Sequence, residues 1–487
     1  MVSFAADSDW TLTANVAISG GKLDFTNALA NVEFAQQAIV APIGKVYKIT
    51  LDVSNLGSGE SIKIRYPFQD TSINANGSHT VIGVGDTVNF FRITPNSSTA
   101  TFSIDNVSIK EVISGFDTPR LEYPMIDGVV SGCPSLLLEP QRTNLVKYSE
   151  DFDNAVWTTS NVIKSSNSSI SPSGNLNADL VYPSSSGSLR RILQSVTILN
   201  ANTYTSTVFL KYSGIAWVFV DGVNGNSTWF NIQSGVIGTI GASNTAAIKD
   251  FGNGWFRCSV TATSTSTTGY SYLSFSDADN STSVTANGTS GVYIWGAQLE
   301  EGSYPTSYIP TNGSAVTRLA EVCNSSGDAS TFNDSEGVLM AEISALANDG
   351  TSRRIAISDG SYSNRIYLEF DEVSNKIFFN IISGGNSYFI TYTSLDLTIS
   401  SKIALKYKLN DIALWFNGIK VGENPIAIMP INLSELAFDD GGNTSKFYGK
   451  TKQIQYFQTA LTDNELEELT SWDSFKVMAI AQLYNIE

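Results

Sequence analysis

Histidine and cysteine are the scarcest chemistry-bearing residues. A single histidine, His79, among 487 residues cannot supply a His-based zinc site, and any His-dependent triad would have to use it. Three cysteines, Cys133, Cys258 and Cys323, lie far apart without a C-x-x-C pair. No disulfide framework or thiolate metal site is legible, and all three read as free, buried thiols. Charge is sparse too, at 15% of residues against about 25% in an ordinary soluble domain. It is also one-sided: 29 Lys and Arg stand against 46 Asp and Glu, a formal net charge of −17. That sign is wrong for a phosphate backbone, so no nucleic-acid partner is expected. No run of about 18 apolar residues occurs, and Met1 to Asp7 lack a basic region followed by an apolar stretch. Neither membrane insertion nor a signal peptide is expected.

Catalytic signatures are equally thin. No Gly-x-Ser-x-Gly elbow or phosphate-cradling loop sits between a strand and a helix. Carboxylate pairs can always be chosen from 46 acidic residues, and such a choice carries no information. His79 follows Asn76-Gly-Ser in an expected loop. The expectation is a protein without enzymatic activity.

What is present is a β pattern. Apolar residues alternate with period 2, broken every 8 to 12 residues or so by Gly, Asn, Asp and Ser, as in β-sandwiches. Lys402 to Leu409 alternates Ile403, Leu405, Tyr407 and Leu409 with Lys402, Ala404, Lys406 and Lys408, which predicts one buried and one solvated face. Asn417-Gly418 predicts a type I′ hairpin. Helical periodicity appears only near the C-terminus, where Thr462 and Glu465 form a capping box and a second short helix is expected from Phe475. A sparse internal repeat is also visible. Gln37 precedes Tyr47 as Gln194 precedes Tyr204, and Phe102, Ile104, Val107, Ile109 and Glu111 match Val292, Ile294, Ala297, Leu299 and Glu301 at a constant offset. Length and punctuation predict an all-β chain of three tandem β-sandwiches with short C-terminal helices: 1–112, a Pro-rich ordered linker over 113–148, 149–322, and 330–487.

Several runs carry a resemblance. Pro119-Arg-Leu-Glu-Tyr123, Gly132-Cys-Pro-Ser-Leu-Leu-Leu-Glu-Pro-Gln-Arg-Thr-Asn-Leu145, Gly252-Asn-Gly-Trp-Phe-Arg-Cys258 and Val292-Tyr-Ile-Trp-Gly-Ala-Gln-Leu-Glu-Glu-Gly302 look like segments of tailed-bacteriophage virion proteins. Residues 1–112, with Trp10 and Ile104-Asp-Asn-Val107, more loosely resemble the jelly rolls of carbohydrate-binding modules. Residues 330–472, with Trp415-Phe-Asn-Gly418, are similar to concanavalin A-like or laminin-G-like sandwiches. The resemblance implies a virion fibre, spike or capsid decoration that attaches to host-surface glycans, beside other virion proteins and as a homo-oligomer, a trimer favoured. It implies synthesis in the host cytoplasm and residence on the particle. The alternatives are a ligand-free spacer and a polysaccharide depolymerase.

The resemblance also singles out Asp105, because the matching Asp of carbohydrate-binding jelly rolls often holds a structural Ca²⁺; the alternative is a hydrogen bond to its own turn. Sugar recognition needs exposed aromatic faces beside amides. Alternation in Thr228-Trp-Phe-Asn-Ile-Gln233 sets Trp229, Asn231 and Gln233 opposite Phe230 and Ile232, making Trp229 the first stacking candidate. Tyr362 and Tyr388, near Gly/Asn/Ser loops, are the reserves.

Overall fold

Antiparallel strand pairing accounts for almost all of the regular structure in the computed structural model. It describes residues 10–38, 46–66, 68–84, 90–97, 99–112, 119–123, 125–126, 129–130, 132–394, 396–474 and 478. Of the helix expected from Phe475 only Met478 lies within them, its N–H donating to the Ser474 carbonyl at 3.0 Å. The chain forms two compact units, Met1–Phe116 and Asp117–Glu487.

In the first unit two five-stranded sheets enclose one core. One runs in the order Thr11–Leu12, Ala35–Ala38, Phe90–Pro95, Ile62–Tyr66, Phe68–Ile73, and the other Val16–Ser19, Lys22–Leu29, Thr99–Val112, Val46–Ser54, Gly77–Val84. Leu23, Phe25, Phe102 and Ile104 from the second sheet meet Ile62, Ile64, Phe91 and Ile93 from the first. His79 lies within the strand Gly77–Val84 instead of the expected loop, with its Nε2 2.8 Å from the Ala75 carbonyl.

The second unit opens with the same plan. Thr158–Ser160, Arg191–Thr197, Thr268–Ser276, Trp217–Asp221 and Ser227–Asn231 repeat the first order, with Val236–Ile237 added at the edge. Val162–Ile170, Leu176–Pro183, Gly291–Glu301, Thr203–Ser213 and Trp255–Thr263 repeat the second, with Thr245–Asp250 added. The internal repeat therefore extends to topology. It extends to a defect as well, because both long closing strands bulge at the matching point, after Asp105 and after Trp295. The bulged residues are Asn106 at φ 50° and Gly296 at φ 63°, and Val107 and Ala297 then return to the core. Glycine and asparagine are the residues that adopt left-handed backbone at least cost.

A second pair of sheets completes this unit. Five strands run Asn386–Thr393, Lys376–Ser383, Arg365–Phe370, Arg353–Ser358, Glu435–Ala437. Seven run Arg120–Glu122, Ser135–Leu138, Gly449–Phe457, Glu336–Ala345, Ser401–Lys408, Ile412–Phe416, Ile419–Asn424. Two short pieces of 113–148, expected as a linker, Arg120–Glu122 and Ser135–Leu138, are thus built into the far sheet. Pro119 and Pro134 stand immediately before these short strands and Pro140 just after the second, none of them inside one, which is how proline is tolerated at a sheet margin.

Both faces of Ser401–Lys408 are covered, where one solvated face was expected. Ala404 packs with Val338, Met340, Ala413 and Trp415 under Leu466 of the helix Asp463–Thr470. That helix starts on the expected capping box of Thr462 and Glu465. Lys406 is nearly buried beside it and pairs with Asp411 at 2.7 Å. The hairpin at Asn417-Gly418 has positive φ at both residues, as a type I′ turn requires. Of the cysteines only Cys258 is buried, where burial pushes its thiol pKa up; Cys323 is half-buried and Cys133 exposed.

The runs around Leu138–Leu145 and Val292–Gly302 form a buried polar network. Asn144, fully buried, donates to the carbonyls of Ala297 and Ile309 and accepts from the N–H groups of Val146 and Leu299. Gln298 accepts from the Ile309 N–H and donates to Glu300, whose carboxylate takes the N–H and hydroxyl of Thr306. Glu139 accepts from the Ser307 N–H and pairs with Arg318 at 2.8 Å and with Arg120, while Glu321 takes the Glu139 N–H. Buried polar groups joined in this way hold segments together. These motif residues serve architecture.

Candidate functional site

Each sequence-predicted residue has a definite place. Trp229 does lie opposite Phe230 and Ile232, but it is only 8% exposed. Its ring packs 5.2 Å from Phe219 in a cluster with Tyr272, flanked by Leu193 and Trp217, and its Nε1 donates to the Ser281 carbonyl at 2.7 Å. It offers no open stacking face. Asn231 spends its carbonyl oxygen on the N–H groups of Gln233 and Ser234, closing a turn in which Gln233 is exposed. The three do not form one platform. Tyr388 faces inward against the core, because it alternates with Ile390 and Tyr392 on the same strand. Asp105 accepts from the Asn106 N–H at 2.7 Å, the turn hydrogen bond weighed against calcium. Asp52 stands across from it and takes the side chains of Ser78 and Asn106. Those hydrogen bonds, Ser78 first, hold the Asp52 carboxyl below the usual range. Among the described residues no group of three or more His, Cys, Asp and Glu is arranged to hold a metal.

Tyr362 is different, being 51% exposed. It leads onto the outer face of the five-stranded sheet, where three neighbouring strands each send their non-core residues. Arg365–Phe370 buries Ile366, Leu368 and Phe370 and turns Arg365, Tyr367 and Glu369 outward; Lys376–Ser383 buries Ile377, Phe379 and Ile381 and turns out Phe378 and Asn380. Asn386–Thr393 adds Ser387 and Phe389. Register aligns them, with Tyr367 opposite Asn380 and Asn380 opposite Phe389.

The result is an aromatic file. Tyr367 and Phe378 have ring centroids 6.4 Å apart with planes 24° from parallel, and Phe378 and Phe389 are 5.0 Å apart at 20°. Tyr367 is buried, whereas Phe389 is 52% exposed on the edge strand. The face of Phe389 turned away from Phe378 is therefore the open one. A hydrogen-bond chain runs alongside, from the Ser387 hydroxyl to the Asn380 carbonyl and from the Asn380 amide to the Tyr367 hydroxyl, both at 2.8 Å.

At the inner end, two guanidinium groups stack on tyrosine. Arg354 lies 4.8 Å and Arg365 5.0 Å from the Tyr367 ring, and Arg365 is 4.9 Å from Tyr362. Their charges are matched: Arg354 bonds Glu369 at 3.0 Å, and Arg365 lies 3.6 Å from Asp440. Burial would raise the Asp440 carboxyl, but the hydrogen bonds of Thr444 and Gly442 and the charge of Arg365 hold it below the usual range. Tyr362 completes the rim by donating to the Gly442 carbonyl at 3.2 Å. The face combines a rigid aromatic edge, an amide–hydroxyl chain and a charge-neutral floor, the elements needed to stack the C–H face of a pyranose and bond its hydroxyls.

Sequence reasoning reached Tyr362 and passed over Tyr367, Phe378, Asn380 and Phe389. The signal was alternation in Arg365-Ile-Tyr-Leu-Glu369 and Lys376-Ile-Phe-Phe-Asn380.

No family model matches the chain, and no curated protein matches it. Among solved structures it is similar to a leech intramolecular trans-sialidase at 14% identity and TM-score 0.25, over 29% of this chain and 24% of the enzyme's chain. It is similar to domains LG4-5 of the mouse laminin alpha1 chain at 13% identity and TM-score 0.22, over 57% and 90% of the two chains. It is also similar to the tandem CBM22-1-CBM22-2 domains of Paenibacillus barcinonensis Xyn10C at 13% identity and TM-score 0.24, over 62% and 96%. The chain thus spans about a quarter of the leech enzyme's length, and its likeness to laminin-G-like and carbohydrate-binding-module-like β-sandwiches is remote.

Proposed function

We propose that this chain is a non-enzymatic glycan-binding protein of a phage particle surface, built as three tandem sandwich domains, and that the outer face of its five-stranded sheet is the binding platform. The observation that carries the binding role is the file Tyr367–Phe378–Phe389, open at Phe389 and bordered by Ser387 and Asn380. A platform at a sheet edge suits a stretch of polysaccharide more than an enclosed small molecule. The virion assignment rests on the resemblance of the runs around Leu138–Leu145 and Val292–Gly302, and with it come a homo-oligomeric, trimer-favoured assembly and other virion proteins as neighbours. Calcium has no part in this reading.

The test is affinity for host-surface polysaccharide measured on the wild type and on Phe389→Ala and Tyr362→Ala. Loss of a half-exposed stacking ring should cost about 1–3 kcal/mol, roughly five- to 150-fold in single-site Kd. Unchanged affinity in folded variants would remove the platform. Release of reducing ends by the wild type would overturn the non-enzymatic assignment, and labelling of particles with antibody to this chain tests the location.

A further inference from the structure

A cleft of about 690 Å³ opens at one end of the six-stranded pair, distant in sequence from the aromatic file. Its size lies in the range of small-molecule sites. Its lining combines Tyr148 and Pro310 with Glu150, Asp151, Asn177 and Asp179.

The walls are pinned from behind. The Tyr148 carbonyl takes the Trp157 Nε1–H at 2.8 Å. Thr311 donates its N–H to the Ser149 hydroxyl at 2.8 Å, which fixes the Pro310 side. Glu150 accepts from Asn177 at 2.9 Å and from the Tyr308 hydroxyl at 3.1 Å. Asp179, only 3% exposed, takes the N–H groups of Asn167 and Phe152. Asn167 reaches it by a left-handed bulge at φ 50°. The Asn177 carbonyl oxygen, by contrast, is buried without a partner. Asp151 is exposed at the mouth. No lysine or arginine lines the cleft, and the neighbouring Lys164 is committed to the Phe152 carbonyl at 2.7 Å.

We propose that this cleft is a second saccharide site, for a single pyranose unit carrying a free amine. Two features of the lining point to it: Tyr148 and Pro310 supply C–H-compatible surface, and Glu150, Asp151 and Asp179 supply acceptors with no lysine or arginine among them to balance their charge. A neutral sugar satisfies the first feature only. An acidic sugar satisfies the first and is repelled by the second. A protonated amino sugar satisfies both. This assignment stands independently of the platform on the five-stranded sheet.

The experiment is titration of the full chain with glucosamine, glucose and glucuronate at mildly acidic pH, followed by ligand-observed NMR. Glucosamine should bind at least tenfold more tightly than glucuronate, with glucose between. Asp151→Asn, at an exposed position, should narrow that ratio, and Tyr148→Ala should weaken glucosamine and glucose alike. Phe389→Ala should change none of these values, so a failure of the platform and a failure of the cleft give different results. Equal affinity for all three sugars, an unchanged ratio in Asp151→Asn, or binding of calcium chloride with no binding of glucosamine would each overturn the proposal.

Discussion

Asparagine is abundant for a reason visible in single residues. Of nineteen described non-glycine residues with positive φ, fourteen are asparagine. Their amides therefore serve mainly to turn the chain, and an Asn-rich stretch is poor evidence for sugar recognition in this protein. Among the acids, Asp221 stands out. Burial beside Tyr272 pushes its carboxyl up to about 6, against the lowering effects of the Ser227 hydroxyl and Arg191. With the folded pKa above the unfolded one, the native state holds the extra proton. Its contribution is best below about pH 4 and is lost as pH rises through about 6. Asp221→Asn should therefore gain up to about 3 kcal/mol over wild type at pH 8 and almost nothing at pH 4, measured as the difference in urea unfolding. Parity at this scale was legible in the sequence, since Trp229 lies on the side that alternation assigned to it. Its cover was not, because Tyr272 comes from a strand distant in sequence and Ser281 from the loop after it.

Elements show the same division between local and remote information. The Asn417-Gly418 turn and the Thr462–Glu465 box depend on neighbours a few residues away, and both were readable. The aromatic file depends on registry between three strands, and no single strand reveals it. Ser401–Lys408 misled in the same way, since its polar-looking face is closed by a helix some sixty residues later. The shared bulge is the sharpest element-level test. A Cβ on Gly296 would come 2.9 Å from Phe209 Cδ2 at φ 63°. Gly296→Ala should cost more than about 1 kcal/mol from the positive φ and the crowding together. Asn106→Gly, at the equivalent bulge with an exposed side chain, should stay within about 0.5 kcal/mol. Thermal unfolding of the two variants side by side checks both.

On the scale of the molecule, residues 117–487 hold two cores in one compact unit. Glu122, from the strand that edges the seven-stranded sheet, bridges Lys249 at 3.1 Å and Lys450 at 2.7 Å, one from each pair of sheets. Glu139 is the deeper tie, 4% exposed and joined to Arg318 and the Ser307 N–H. Glu139→Ala would remove the carboxylate paired with buried Arg318 and leave it only the more remote charges of Glu321 and Glu300, at up to about 3–5 kcal/mol. In scanning calorimetry the expected result is a lower midpoint with the transition of this unit resolved into two. An unchanged single peak would show that the coupling lies elsewhere.

The strand Ser135–Leu138 pairs with Gly449–Phe457, Leu137 lying opposite Lys450. During translation, therefore, Leu136, Leu137 and Leu138 leave the ribosome some three hundred residues before the strand that covers them exists. Until then the early segment has only the short strand Arg120–Glu122 beside it and its other edge stays open. Long-range closure of this kind is slow and exposes an adhesive edge while it lasts. A nascent chain that stalls before Gly449 keeps its own early leucines uncovered, which would mark it for chaperones and proteases.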